Sequence, residues 1–87
     1  MKGGYKLKIL PSARKGLESL HDPVLKRVVQ HLRLLTDDPR PRGCRKLVGT
    51  DSDYRVRVGD YRIVYEVDDR TRTITVYRIR HRSDVYE

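Results

Sequence analysis

Residues 54–66 read Tyr54-Arg55-Val56-Arg57-Val58-Gly59-Asp60-Tyr61-Arg62-Ile63-Val64-Tyr65-Glu66, and the parsing of this stretch decides the fold. Tyr54 to Val58 alternates apolar and basic residues with a period of two, as a strand with one buried face does. Arg55 and Arg57 therefore share the other face, about 7 Å apart by strand rise. Gly59-Asp60 is a two-residue hairpin signal with glycine in the first position. Tyr61 to Val67 is then the return strand, and Arg62 sits just across the turn from the first two arginines.

Downstream, Asp68 to Arg72 forms a turn and a last strand runs from Thr73 to about Arg80. Arg78, Arg80 and Arg82 share parity along it if the chain stays extended that far. Ser83 to Glu87 is a short tail with room for one helical turn. Upstream, Arg45 to Val48 reads as a short strand followed by a loop at Gly49-Thr50-Asp51-Ser52-Asp53. The segment Asp37 to Gly43 carries two prolines and a glycine and cannot continue a helix. Before it, Val24, Leu25, Val28, Leu32 and Leu35 recur at three- and four-residue intervals, with Lys26, Arg27, Gln30 and Arg33 on the other face. Asp22 reads as the cap of this helix and Pro23 as its first residue, with an end near Thr36. His31 lies at the boundary of the stripe. Tyr5 to Leu10 is a first strand, and Ser12 is the expected N-cap of a short helix through Leu20. The order β-α-α-β-β-β-β predicts one α+β domain over residues 1–87. Both N-terminal helices pack on one face of a mostly antiparallel twisted sheet.

The charge balance narrows the partners. Lys and Arg number 20 against 12 Asp and Glu, a net charge of +8, so the chain attracts polyanions. No lysine follows Lys46, and every cation from Tyr54 onward is an arginine, the side chain that forks onto phosphate. The lone Cys44 excludes an internal disulfide and fits a reducing compartment. No apolar run approaches the roughly 20 residues of a membrane span, and no signal-peptide core follows Met1. The expectation is a cytoplasmic protein without a membrane partner.

With helices on one face, the other face is free for a ligand. Three neighbouring strands converge arginines on it: Arg55 and Arg57, Arg62, and Arg78 with Arg80 and Arg82. Grouping like charges costs stability unless water or an anion compensates it, which favours a functional reading over chance. Arg45 and Lys46 are further candidates for RNA contact. His81 has a free pKa close to neutral, as a general acid or base requires, although a histidine between two arginines also suits a plain surface. Tyr86, after the basic cluster, can stack on a nucleobase or anchor the C-terminus. Tyr65 reads as core. No metal-ligand spacing, phosphate-binding glycine loop or nucleophile triad is present, so neither metal nor cofactor is expected.

The string from Tyr54 to Glu66, followed by Ile79-Arg80-His81-Arg82-Ser83-Asp84-Val85-Tyr86, resembles the RelE/ParE toxin superfamily. The resemblance extends to Lys46-Leu47-Val48-Gly49 and the N-terminal strand and helices. It implies a RelE-like toxin of a type II toxin–antitoxin system that cleaves mRNA in the ribosomal A site without a metal. The messenger's 2′-hydroxyl would attack the adjacent phosphate, leaving a 2′,3′-cyclic phosphate and a 5′-hydroxyl. By motif position the resemblance implies catalytic roles for Arg55, Arg57, Arg62, Arg82 and Tyr86. Some members carry lysines at the first two positions. An arginine is a poor proton shuttle, so Arg55 and Arg57 are expected to hold phosphate and His81 to move the proton. Arg80 stands where the motif usually has glycine, and it joins Arg78 as an RNA contact. The implied partners are the ribosome with its mRNA and a cognate antitoxin whose acidic, partly disordered segment wraps the toxin into a hetero-oligomer. The superfamily also contains non-enzymatic inhibitors of DNA gyrase. That activity, and a non-catalytic RNA- or ribosome-binding module, are the alternatives.

Overall fold

The computed structural model describes residues 4–84. Its elements are β1 (Lys6–Ile9), α1 (Pro11–Glu18), α2 (Val24–Asp37), β2 (Arg45–Lys46), β3 (Asp53–Val58), β4 (Tyr61–Asp68) and β5 (Thr73–His81), with a 3-10 turn over Arg82–Asp84. The sheet order is β1-β5-β4-β3-β2. β1 runs parallel to β5, and the remaining pairs are antiparallel. This is the predicted α+β arrangement, with boundaries moved by a residue or two.

The helix starts differ from expectation. α1 follows Leu10 and has Pro11 in its first turn, so Ser12 lies inside the helix. Its hydroxyl donates to the Tyr77 carbonyl at 2.5 Å. α2 is preceded by Pro23 in the cap position, and Asp22 pairs with Lys26 one turn along at 3.9 Å. β2 has two residues where four were expected. The Leu47 N–H still bonds the Asp53 carbonyl at 2.9 Å, but beyond it the chain leaves the ladder.

The core lies between the helices and one sheet face. Val28, Leu32 and Leu35 of α2 and Ala13 of α1 meet Ile63, Tyr65, Ile74 and Val76, all buried. Each large apolar side chain buried in this way contributes about 1.5–3 kcal/mol. Tyr65 is fully buried, as its place in the strand pattern requires, and its hydroxyl donates to the Pro39 carbonyl at 2.7 Å. Gly16 lets α1 press onto β5, since a Cβ there would collide with the Ile79 carbonyl.

One irregularity positions the site. The β4–β5 register shifts at Val64/Tyr65: Tyr65 pairs with Val76 but Val64 pairs with Arg78. Tyr77 is the extra residue of a β-bulge, and Ser12 takes up its carbonyl. Ile74, Val76 and Ile79 are all buried. Strict alternation from Ile74 and Val76 would have sent Arg78 and Arg80 into the core and Ile79 out of it.

Candidate nucleic-acid interface

The sheet face away from the helices is organised in rows across the strands. The β3–β4 turn has Gly59 at φ 61, which sets Val58 opposite Tyr61 and hence Arg57 opposite Arg62. Arg62 in turn faces Arg80 on β5. Three arginines thus stand abreast on three adjacent strands, where directly opposed side chains lie about 4.5–5.5 Å apart at Cβ. Two residues along, the next row is Arg45, Arg55, Val64 and Arg78. A third row reverses sign, with Asp53 opposite Glu66 and Thr75 beyond.

Arg62 sits between two cavities. The larger, about 240 Å³, is lined by Leu47, Arg55, Arg62, Val64, Arg78 and Arg80. It has two apolar residues among four guanidinium groups. The smaller, about 170 Å³, is lined by Arg57, Gly59, Asp60, Tyr61, Arg62 and Arg82. The Arg62 Nε is buried and, among the described residues, has no hydrogen-bond partner, which is uncommon for a buried donor and marks a place where a ligand can complete the bonding. Burial, followed by the neighbouring charges of Arg62, Arg57 and Arg45, pushes the Arg55 guanidinium below its ordinary value. The arrangement is therefore a cluster of mutually repelling cations that an anion would relieve. Burial, then Glu66 and Asp53, pushes the Tyr77 hydroxyl up, so charge on this face is divided between a basic end and an acidic end.

The family model for the ParE toxin of type II toxin–antitoxin systems (parDE) matches residues 7–86. The chain belongs to this toxin family. Toxin RelG of Mycobacterium tuberculosis is 33% identical over 86 residues, covering 94% of this chain and 95% of the relative. Among solved structures, the archaeal RelE–RelB complex of Pyrococcus horikoshii superimposes with a TM-score of 0.81 at 32% identity, covering 91% of this chain and 96% of the other. The isolated E. coli RelE toxin gives 0.78 at 25% identity, with 88% and 83% covered.

In this toxin the residues singled out from sequence are unequally placed. Arg55, Arg57, Arg62, Arg78 and Arg80 come together on the open face, and Arg45 joins them opposite Arg55. Arg82 begins the 3-10 turn and reaches the smaller cavity, its N–H held by the Asp60 carbonyl at 2.7 Å. Lys46 pairs with Tyr54, whose ring packs against the core, so alternation directs Lys46 away from the arginine rows. His81 lies opposite Tyr61 and follows Ile79 to the helix side. Its ring meets Tyr61 edge-on at 5.2 Å, and it lines neither arginine cavity. Tyr86 lies outside the described residues.

Leu47 and Val64 form the apolar part of the larger cavity and were not anticipated. Val64 was derivable, because a two-residue turn at Gly59-Asp60 fixes it opposite Arg55. Arg80, read from sequence as an RNA contact among the converging arginines, faces Arg62 directly. Arg40 is removed from the open face altogether: it donates to Tyr54 at 3.0 Å and to Asp69 at 2.8 Å. Among the described residues, no three His, Cys, Asp or Glu side chains gather to hold a metal, and no helix is long and apolar enough to cross a membrane.

Proposed function

We propose that the toxin is an endoribonuclease that cleaves mRNA in the ribosomal A site in the cytoplasm. The observation that carries this reading is the row Arg57–Arg62–Arg80, with the buried Arg62 Nε lacking a partner among the described residues. In the cleavage step the ribose 2′-oxygen bonds to the adjacent phosphorus and the bond from phosphorus to the 5′-oxygen breaks. The proton of the 2′-hydroxyl ends on the released 5′-oxygen. Negative charge accumulates on the phosphoryl oxygens between these events, and guanidinium groups fixed beforehand stabilise it without reorganising. Arg62 and Arg80 hold the phosphate, Arg55 and Arg57 set its charge environment, and Arg82 and Arg78 bind the flanking backbone. Tyr86 stacks on a base. The ribosome supplies alignment of the messenger, which is itself a large share of such a barrier. No step in this scheme draws on a metal or cofactor.

The same face explains a protein partner. The relative from Pyrococcus horikoshii is seen in a RelE–RelB complex, and a cognate antitoxin with an acidic, partly disordered segment would cover the arginine rows here and exclude RNA.

The deciding assay is cleavage in a reconstituted translation system with wild type, Arg62→Ala and Arg80→Ala. Cuts within A-site codons that disappear in both variants support the enzyme. A folded wild type that makes no cuts on programmed ribosomes overturns it. The family model, which describes a ParE toxin, then makes gyrase inhibition the reading to test, through DNA supercoiling. Salt-sensitive RNA binding without cleavage would instead leave a non-catalytic module.

A further inference from the structure

Val48 is fully exposed, at 102% of its reference area, and the residue before it, Leu47, forms part of the larger arginine cavity. Single exposed apolar residues are ordinary on protein surfaces. Two features set this one apart. The turn that carries it is pinned: the Leu47 N–H donates to the Asp53 carbonyl at 2.9 Å, the Asp53 N–H to the Thr50 hydroxyl at 3.1 Å, and Gly49 at φ 89 supplies the reversal. The tip also adjoins a cavity whose remaining walls are Val64 and four arginines.

We propose that the Leu47–Val48 tip is a nucleobase contact, packing on the base next to the phosphate held by the arginines; the inference rests on the RNA reading above. A free phosphate would use the guanidinium groups and leave Leu47, Val48 and Val64 unused. A single-stranded nucleic acid presents an apolar base face beside each phosphate, so it fills both halves of the surface. Aliphatic packing on a base adds affinity that does not depend on counterion release, whereas each arginine–phosphate contact adds a salt-dependent part. The two contributions are therefore separable by salt titration.

The test is fluorescence anisotropy with a labelled single-stranded RNA and with an abasic RNA of the same length, each over a range of salt concentrations. Val48→Ser is expected to bind the base-containing RNA about three- to tenfold more weakly at every salt concentration, as the loss of an aliphatic contact predicts. Its salt slope should stay that of wild type, its affinity for abasic RNA should be unchanged, and Val48→Ile should restore binding. Arg78→Ala, by contrast, should reduce the slope by about 0.7 and weaken both RNAs. Wild-type affinity in Val48→Ser, or an equal loss on abasic RNA, overturns the inference while leaving the RNA reading intact. Failure of wild type to bind either RNA at low salt overturns the inference, while the RNA reading stands or falls on the ribosome cleavage assay. A loss in Val48→Ser seen with an acidic peptide but not with RNA assigns the tip to a protein partner and also overturns it.

Discussion

Arg62 stands directly opposite Arg80 across the β4–β5 ladder. With Arg57 on its other side, it is the central member of a row of like charges, which costs folding free energy. Loss of an oxyanion-type donor typically lowers rate by about 10²–10³. Arg62→Ala should therefore reduce mRNA cleavage by about that factor, while thermal unfolding shows a stability equal to or above wild type. Stability and activity moving together would show that Arg62 is a structural residue and sink its assignment to phosphate.

Gly16 lies within α1, where alanine ordinarily stabilises a helix relative to glycine by about 0.5–1 kcal/mol. Here the sign should reverse. The new Cβ meets the Ile79 backbone carbonyl, which cannot rotate away, so the helix must lift from β5. Gly16→Ala should cost about 1–3 kcal/mol, the range for overpacking, read as the change in urea midpoint. Increased stability would mean that α1 and β5 are not in close contact.

Tyr65→Phe removes the hydroxyl that satisfies the Pro39 carbonyl without changing the ring that stacks on Tyr54 at 6.0 Å. A carbonyl left unpaired in a buried place costs about 1–3 kcal/mol, and each kcal/mol in a domain of this size lowers Tm by about 4–8 °C. A melting temperature within 2 °C of wild type (roughly the resolution of that scale) would show that water replaces the hydroxyl.

Asp69 accepts from Arg40 at 2.8 Å and from Tyr5 at 2.6 Å. The Arg40 bond first, then the Tyr5 bond, hold its carboxyl below the ordinary 3.8. The unfolded chain then binds more protons than the folded one in that range, so the contribution is complete above 3.8 and is lost as pH falls through the lower folded value. Tyr5, raised above 10.0 chiefly by its bond to Asp69, behaves oppositely: its contribution is present below 10.0 and is lost as pH rises through the folded value. Wild type should exceed Asp69→Asn in urea midpoint between these limits and converge with it in acid. A difference that persists below the folded Asp69 value would place the effect elsewhere.

Which parts of this molecule were readable from residues alone follows from how local their signals are. The β3–β4 hairpin was, because Gly59-Asp60 fixes the register of every pair up to Asp53 and Glu66. The stripe Val28, Leu32 and Leu35 likewise fixed the buried face of α2. The parallel pairing of β1 with β5 joins residues more than sixty positions apart and has no local mark. The bulge at Tyr77 does have one, since Ile74 and Val76 are followed by Ile79 rather than by an apolar residue at 78. Treating β5 as regular still grouped Arg78 with Arg80, but not their side of the sheet relative to the core. Lys46 misled for a related reason: sequence proximity to Arg45 hides that neighbours on a strand face opposite ways.

His81 shows what that alternation means for chemistry. The Ser83 N–H donates to its Nδ1 at 3.2 Å, with the Ser83 hydroxyl 2.8 Å from the same atom. Nδ1 is therefore the accepting nitrogen, and the neutral ring carries its hydrogen on Nε2. In that tautomer Nε2 is a donor, unable to take a proton from a 2′-hydroxyl, and Tyr61 lies against the ring. If cleavage relies on positioning and arginine charge, His81→Ala should retain activity within about threefold, well short of the 10²–10⁴ typical of a general acid or base. The pH–rate profile between 5 and 8 should keep its wild-type shape. A loss of a hundredfold or more with a changed profile would instead require β5 to turn over at its end on the ribosome, bringing His81 to the arginine side.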